Sequence, residues 1–133
     1  HGLQPVFADS IMVEQVIANL VRNAIDAMAE AQSPRREITV RTLSANQASV
    51  EVEVDDTGPG IDATLVDQVF DPYFTTKHDG VGMGLSISRS IIESHGGSIR
   101  VESRAGSGGA KFRFSLPVAA KGGRVGQRHS LHR

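Results

Sequence analysis

The stretch NLVRN, residues 19–23, places two carboxamide side chains four residues apart within a helical pattern. Asn is a mediocre helix former, because its side chain competes for backbone hydrogen bonds. At about 100° per residue, Asn19, Asn23 and Asp26 share a narrow polar face beside the apolar face, and Arg22 lies next to them. Amide oxygens suit a hard cation such as Mg²⁺, which usually shares its ligands with substrate phosphates. The pattern indicates either a helix that presents oxygens to a ligand or a plain solvated flank.

A glycine-containing turn follows in the string DDTGPGI, which ends at Ile61. Gly58 and Gly60 let the backbone turn sharply and leave room for a flat ligand, because neither carries a Cβ. Asp56 could accept a hydrogen bond from an amino group in that gap. An ordinary turn after a strand is the alternative, so this string is not decisive alone.

Glycines alternate in the string GVGMGL, residues 80–85, directly before a second predicted helix. Free backbone N–H groups and the positive end of the helix dipole make such a position an anion site. The sequence contains no G-x-x-x-x-G-K-[ST] string, which excludes a P-loop. A dinucleotide-binding fingerprint fits poorly, because the third glycine comes one position early and a polar loop, FTTKHD, precedes the glycines in place of a strand. A last cluster, GSGGAKF at residues 106–112, adds three glycines before the final predicted strand.

Composition excludes several other classes of protein. A length of 133 residues fits one domain, and 39% hydrophobic with 22% charged residues is typical of a globular chain. A net charge of −1 gives no electrostatic reason to expect nucleic acid or an anionic membrane as a partner. Without cysteine there is neither a disulfide framework nor a thiolate metal site, which is compatible with a cytoplasmic location. The abrupt start, HGLQPVFAD, suggests a piece of a longer protein.

Hydrophobic periodicity predicts helices that alternate with strands. A helix is expected from an N-cap at Asp9 to about Gln32, and a second one over residues 85–95 before a glycine pair. Strands are expected over residues 5–8, 37–43, 49–56, 98–103 and 110–117. The expected fold class is α/β, a two-layer sandwich of a mixed, mostly antiparallel sheet with helices covering one face. Residues 1–117 form the expected domain, and residues 118–133 a flexible C-terminal tail.

Taken in order, these strings resemble the catalytic, ATP-binding domain of sensor histidine kinases, in the superfamily shared with gyrase B, MutL-type mismatch-repair proteins and the large heat-shock chaperone. NLVRNAIDAM looks like the N box of that family, DDTGPGI like its G1 box and FDPYFTTK like its F box. GVGMGLSIS looks like the G2 box, and GSGGAKFRFSLP like the last glycine element. Within the family, the strings are most similar to those of the nitrogen-regulation and oxygen-sensing kinases. The resemblance implies a Bergerat-type fold that binds ATP and Mg²⁺.

The resemblance also implies roles for individual residues. At the catalytic end, Asn23 would bind Mg²⁺ and Asn19 would support the triphosphate, while Asp56 would accept a hydrogen bond from the adenine amino group. Further residues would line the base pocket, anchor a lid or wrap the phosphates: Asp26, Ala27, Gly58, Gly60, Ile61, Phe70, Phe74, Thr76, Lys77, Gly80, Val81, Gly82, Met83, Gly84, Leu85 and Gly109. Hydrolysing members of the superfamily carry Glu at the position of Asn19, and an amide cannot act as that general base. Asn at this position favours phosphoryl transfer over hydrolysis.

Two features depart from the family's pattern or leave it incomplete. Many relatives carry a basic residue at the position of Asp26, so Arg22 or Lys77 is expected to supply positive charge to the γ-phosphate as a catalytic residue. No histidine of the sequence lies in a string like the family's phosphoacceptor, and His95 is interpreted as a helix-end residue. The lid, residues 62–81, is expected to be disordered without nucleotide.

Three classes of function fit these strings. The favoured one is a protein-histidine kinase domain, which donates the γ-phosphoryl group of ATP to a histidine on an upstream dimerisation domain, with a response regulator as a later acceptor. An ATP-driven conformational clamp is the second class, and Asn19 in place of Glu argues against it. A non-catalytic nucleotide-binding module is the third, and the intact glycine loops argue against it. Neither nucleic acid nor a membrane is an expected partner of this piece, which is expected to be monomeric when isolated.

Overall fold

A four-stranded sheet carries two helices on one face in the computed structural model of the chain, which describes residues 9–44, 47–72, 84–104 and 108–118. The elements in chain order are α1 (Ser10–Glu30), β1 (Ile38–Ser44), β2 (Ser49–Asp56), a short 3-10 helix (Val66–Gln68), α2 (Gly84–Ser94), β3 (Ile99–Arg104) and β4 (Gly109–Pro117). This arrangement confirms the predicted two-layer sandwich. All pairings between the described strands are antiparallel, and the predicted strand at residues 5–8 lies outside the described residues.

The sheet has the strand order β1-β2-β4-β3, so β2 and β4 occupy its centre. Valines alternate with acidic residues along β2, and the valines belong to the core beneath the helices. On β4, Phe112 pairs with Val54 and Phe114 with Val52, which continues the same apolar face. Because the two strands are antiparallel, the last residue of β2, Asp56, lies beside the start of β4.

Helix α1 packs an apolar stripe on this face of the sheet. Its buried residues recur at three- and four-residue spacing, as the sequence predicts: Val13, Val16, Leu20, Ala24 and Met28. Ile25 is 52% exposed, although the periodicity assigns it to the stripe. At about 240° from Asn19, Ile25 falls at the rim of the stripe, where the helix surface turns away from the sheet. The prediction is therefore wrong at this position.

A glycine motif ends α2, as the sequence predicts. Gly96 has a φ of 85° and donates its N–H to the Glu93 carbonyl at 3.0 Å. Gly97 donates its N–H to the Ile92 carbonyl at 3.0 Å, which completes a Schellman motif. The left-handed residue turns the chain directly into β3.

The same motif ends α1 without a glycine. Gln32 has a φ of 53° and donates its N–H to the Ala29 carbonyl at 3.1 Å. Ser33 donates its N–H to the Met28 carbonyl at 2.9 Å. The sequence predicts an end of α1 near Gln32. Because Gln32 adopts the left-handed conformation, α1 instead ends at Glu30.

The two helices run antiparallel, and two side-chain hydrogen bonds between described residues join them. Near the start of α1, the backbone N–H of Asp9 donates to Nε2 of His95 at 3.1 Å. Nδ1 of His95 lies 2.7 Å from the Ile91 carbonyl oxygen, so the ring proton belongs on Nδ1. Further along α1, Asn19 reaches Ser88 of α2. These contacts confirm the interpretation of His95 as a helix-end residue.

Charged side chains cover the opposite face of the sheet. Glu53 of β2 lies at the centre of that face and is only 5% exposed. Arg113 Nη2 lies 2.9 Å from Glu53 Oε2, and Arg41 Nε and Lys111 Nζ lie 3.8 and 3.9 Å from its Oε1. The stems of these long side chains shield the carboxylate, and their charges compensate it.

The final strand contact extends one residue into the predicted tail, because Val118 donates its N–H to the Ala48 carbonyl at 2.9 Å. Residues 119–133 lie outside the described part of the chain. Neither α1 nor α2, the helices that the structure describes, combines the length and hydropathy that a bilayer crossing requires.

Replacement of Gly97 by alanine should destabilise the chain more than the same change at Gly96. A Cβ at Gly97 would overlap the Ser115 carbonyl oxygen of β4, whereas one at Gly96 would meet Pro117 Cγ at 3.6 Å. We expect Gly97→Ala to cost about 3 kcal/mol, and Gly96→Ala about 1–2 kcal/mol for its left-handed backbone alone. Denaturant unfolding of both variants measures the difference, and equal losses would contradict the close approach of the two backbones.

Removal of the Asp9 carboxylate should weaken the start of α1. Its Oδ1 accepts hydrogen bonds from the N–H groups of Ile11 at 3.0 Å and Met12 at 3.2 Å. Asp9→Ala should lower the free energy of unfolding by about 1 kcal/mol, whereas Asp9→Asn keeps an acceptor and should cost a few tenths. Thermal unfolding compares them. If the asparagine variant loses as much as the alanine variant, the carboxylate does not act as a cap.

Candidate functional site

The Asp56 carboxylate joins three segments of the chain at the end of β2. It is buried, and its Oδ1 accepts hydrogen bonds from the Gly58 N–H at 2.8 Å and the Ala110 N–H at 3.2 Å. Among the residues that the structure describes, no hydrogen bond reaches Oδ2. Oδ1 therefore holds the turn and the start of β4, and within the described residues Oδ2 is left as an acceptor.

Two of the predicted glycines lie so close to Asp56 that a side chain would not fit at either position. A Cβ at Gly109, which has a φ of 86°, would overlap the Asp56 carbonyl oxygen and lie 2.8 Å from its Oδ1. A Cβ at Gly58 would lie 2.8 Å from Met28 Cγ on α1 and 3.2 Å from Asp56 Oδ1. Two glycine strings far apart in sequence thus converge on Asp56, and Met28 brings α1 to the same place.

Two hydroxyl groups fix the turn that follows β2. The Ser103 hydroxyl accepts a hydrogen bond from the Ile61 N–H at 2.6 Å and donates to the Ile61 carbonyl at 2.8 Å. The Thr57 hydroxyl donates to the Arg35 carbonyl and accepts from the Glu37 N–H, both at 2.9 Å. Gly60, between these anchors, has a φ of 78°. The turn is therefore tied both to β3 and to the connection between α1 and β1.

Local hydrogen bonds and an ion pair lower the pKa values of two exposed carboxyl groups near this turn. The backbone N–H of Thr64, and then its hydroxyl, bind Asp62 and lower the pKa of that carboxyl. A hydrogen bond from Arg35, with its charge, lowers the pKa of Glu37, and the same pair raises the pKa of Arg35. Both carboxylates therefore stay charged at neutral pH.

The second part of the site lies where α1 meets the start of α2. Asn19 Nδ2 donates to the Ser88 hydroxyl at 3.0 Å. A Cβ at Gly84, the first residue of α2, would lie 3.0 Å from both Nδ2 and Oδ1 of Asn19. The carboxamide of Asn19 thus lies flat against the glycine at the N-terminus of α2, where free backbone N–H groups favour an anion.

The other predicted residues of α1 lie on the expected flank. Asn23, Asp26 and Ala27 are partly buried, whereas Arg22 is exposed. Along the helix axis, Asn19 and Met28 are separated by about 13 Å at 1.5 Å per residue. The α1 flank therefore connects the two parts of the site, with Asn19 and α2 at one end and Asp56 near the other.

Phe70 is held in the core. Its ring makes an edge-to-face contact with Phe112 at a centroid distance of 6.1 Å, and Arg89 Cζ lies 5.9 Å from its centroid. Leu85 packs against the same core. The expectation of disorder over residues 62–81 is wrong for residues 62–72, because burial of Val69 and Phe70 secures that part of the segment.

A cavity of about 430 Å³ opens beside the turn after β2. Its lining consists of Ala31, Ser33, Pro34, Arg35, Thr57, Gly58, Pro59 and Gly108. Gly58 is the described residue that this lining shares with the predicted ligand-binding residues. The cavity lies at the C-terminal end of α1.

Several predicted site residues lie outside the described residues: Phe74, Thr76, Lys77, Gly80, Val81, Gly82 and Met83. Sequence reasoning also missed Ser88 and Ser103, which hold Asn19 and Ile61. Ser88 follows Gly84 by four residues and so shares its helix face. That signal identifies a neighbour of the glycine, but not the α1 residue that it contacts.

Known proteins are similar to this chain in sequence and in fold. Residues 8–120 match the family described as histidine kinase-, DNA gyrase B-, and HSP90-like ATPases. Over 118 residues the chain is 52% identical to the sensor protein FixL of Bradyrhizobium diazoefficiens, covering 89% of this chain and 23% of that protein. The chain thus spans less than a quarter of this curated relative.

Solved structures share the fold. The mycobacterial sensor histidine kinase MprB matches with a TM-score of 0.73 at 28% identity, over 85% of this chain and 76% of that chain. Full-length ShkA in complex with AMPPNP matches with a TM-score of 0.75 at 27% identity, over 92% of this chain and 25% of that chain. With the family match spanning residues 8–120, the chain belongs to the histidine kinase-, DNA gyrase B-, and HSP90-like ATPases.

Proposed function

We propose that this chain is the ATP-binding catalytic domain of a sensor histidine kinase, and that it donates the γ-phosphoryl group of ATP to a histidine on another domain. The observation that carries the proposal is the buried Asp56 carboxylate, with Oδ1 bound to backbone N–H groups and Oδ2 without a hydrogen bond from any described residue. Membership in the ATPase family and identity to sensor kinases support the same reading.

Asp56 would distinguish adenine from guanine by charge. A carboxylate oxygen only accepts hydrogen bonds, so Oδ2 favours the amino group that adenine carries and repels the carbonyl that guanine carries in its place. Because the carboxylate is buried, an unpaired or repulsive contact there is costly. Gly58 and Gly109 would keep Asp56 in place, because without side chains the turn and the start of β4 can approach it closely.

The opposite end of the site would hold a Mg²⁺–triphosphate. Asn23 would ligate the ion through its amide oxygen, and Asn19 would lie beside it, since Mg²⁺ takes oxygen ligands and shares them with phosphates. The N-terminus of α2, which begins at Gly84, would face the phosphates with its N–H groups. When bound, Mg²⁺ would neutralise negative charge on the phosphates.

Asn19 determines which reaction the site favours. An amide cannot take a proton from water, so the site has no general base at this position and holds ATP for transfer. Positive charge toward the γ-phosphate would come from Arg22 or Lys77. Arg22 is exposed on the α1 flank, and Lys77 lies outside the described residues.

The phosphoryl acceptor and the signalling partners would belong to the rest of the protein. Identity to FixL over 23% of that protein's length fits a catalytic domain, at residues 1–117, that works with a separate dimerisation and phosphoacceptor domain in the cytoplasm. A response regulator would take the phosphoryl group from that domain. The isolated chain would be a monomer.

Calorimetric titration with ADP and ATP, with and without Mg²⁺, tests the nucleotide site. We expect binding of about −8 to −5 kcal/mol, and no binding of GTP. Asp56→Asn should weaken binding by about 10- to 100-fold, because it replaces an acceptor with a donor while Oδ1 can still hold the turn. Asp55→Asn is the matched control, since Asp55 lies on the opposite face of the sheet beside Arg41. Equal losses in the two variants, or GTP binding, would contradict adenine recognition by Asp56.

Arg22→Ala tests the source of positive charge in the kinase that contains this domain. Loss of a transition-state contact should lower the rate of autophosphorylation by about 100-fold but ADP binding by less than about three-fold, because ADP lacks the γ-phosphate. Arg36→Ala, an exposed arginine after α1, serves as the control. Equal losses of ADP binding and autophosphorylation would exclude Arg22 and leave Lys77 as the candidate.

A further inference from the structure

One row of residues crosses three neighbouring strands at the end of β2. Asp55 pairs with Lys111, so Asp56 of β2 lies beside Ala110 of β4, and Ala110 pairs with Ser103 of β3. Residues in such a row point to the same face of a sheet, and Ala110 belongs to the core on the helix face. Asp56 and Ser103 therefore lie on that face, on either side of the strand that carries Ala110.

The turn formed by residues 57–61 bridges this row. Its first part is attached to Asp56, because the Gly58 N–H donates to Oδ1 at 2.8 Å. Its last residue, Ile61, is attached to the Ser103 hydroxyl by two hydrogen bonds, from its N–H at 2.6 Å and to its carbonyl at 2.8 Å. A backbone N–H only donates and a carbonyl only accepts, so the direction of both bonds is determined. The turn thus spans β4, with one end on Asp56 and the other on Ser103.

Two backbone donors from different segments determine how the Asp56 carboxylate is oriented. The Ala110 N–H of β4 binds Oδ1 at 3.2 Å, and the Gly58 N–H of the turn binds the same oxygen. With one of these bonds alone the carboxylate could rotate, because the last torsion of an Asp side chain is only broadly restricted. The second bond requires Gly58 to stay in place. The Thr57 hydroxyl holds the chain before Gly58, and the Ser103 hydroxyl holds the chain after it.

We propose that Ser103 is a positioning residue that anchors the turn so that Asp56 presents Oδ2 to the amino group of adenine. The inference rests on the proposed function and deepens it, because it names a residue on which selection of the base depends. Without the Ser103 hydroxyl, Ile61 would lose both of its anchoring bonds, and Gly60 would let the backbone before it move freely. The Gly58 N–H would then hold Oδ1 less firmly, and the carboxylate would turn away from the base. Ser103 in this role acts on the nucleotide through Asp56.

A spectroscopic test examines the anchor without nucleotide. The backbone amide resonances of Gly58 and Ile61, assigned in the ¹³C,¹⁵N-labelled chain, report their hydrogen bonds. Ser103→Ala should shift both resonances, whereas Ser103→Thr, which keeps a hydroxyl, should leave both near the wild-type positions. Ser103→Val has the shape of the threonine variant without its hydroxyl and should behave like the alanine variant. An unshifted Gly58 amide in the alanine and valine variants would overturn the proposal.

A binding test examines the consequence for the base. The readout is the amino-group advantage, defined as the ratio of the Kd for purine riboside diphosphate, which lacks the amino group, to the Kd for ADP. Ser103→Ala should lower this ratio by about five-fold, the value of one neutral hydrogen bond, and Ser103→Thr should restore it. In an Asp56→Asn background, Ser103→Ala should change the ratio by less than about two-fold, because the two residues act as one unit. A purely structural role would weaken the binding of both ligands equally.

Ser98→Ala is the matched control. Ser98 precedes β3 at the other end of that strand, and its hydroxyl oxygen lies 3.4 Å from that of Ser115 on β4. The variant removes a serine hydroxyl between the same two strands but away from the turn, so neither the Gly58 amide nor the amino-group advantage should change. A change as large as that in Ser103→Ala would overturn the proposal.

The outcomes separate this proposal from the proposed function. An amino-group advantage in the wild-type chain that Ser103→Ala leaves unchanged would overturn the positioning role and leave the nucleotide site intact. A ratio near one in a wild-type chain that binds ADP would overturn adenine recognition by Asp56, and the positioning role with it, but not nucleotide binding. No ADP binding by the folded wild-type chain would overturn both the proposed function and this inference.

Discussion

The buried Asp56 carboxylate is the constraint on which the rest of the site depends. A carboxylate removed from water must be compensated by hydrogen bonds, and Oδ1 obtains them from Gly58 and Ala110. These bonds bring the turn after β2 and the start of β4 close enough that Gly109 must lack a side chain. The group that would recognise the base is thus the same group that holds its surroundings together, with one oxygen committed to each task.

The antiparallel pairing of the helices builds the other end of the site. The apolar stripe of α1 packs on the sheet, and the adjoining polar flank of α1 lies beside α2. On that flank, Asn19 donates a hydrogen bond to Ser88 of α2 at 3.0 Å, near the start of α2. In the proposed site, the base end would therefore depend on strand register and the phosphate end on helix packing.

Local sequence patterns predicted the helices and strands. Contacts between residues that are distant in sequence could not be predicted in this way. Periodicity found both helices, and alternation found the four described strands within one or two residues. The end of α1 was misplaced because Gln32 takes a left-handed conformation that glycine usually signals. The contacts of Ser88 and Ser103 could not be predicted, because their partners are distant in sequence and neither serine lies in a distinctive local motif. The glycine strings indicated a ligand site, but their convergence on Asp56 required the β2–β4 register.

The hydrogen bond between Asp9 and His95 joins the start of α1 to the end of α2. The chain enters α1 through Asp9, and its N–H is attached to the ring at the far end of α2, 86 positions later in sequence. A helix is stiff along its axis, and Gly84 and His95 are about 16 Å apart at 1.5 Å per residue. The start of α1 is therefore held at the end of α2 that lies farthest from Gly84, the glycine beside Asn19.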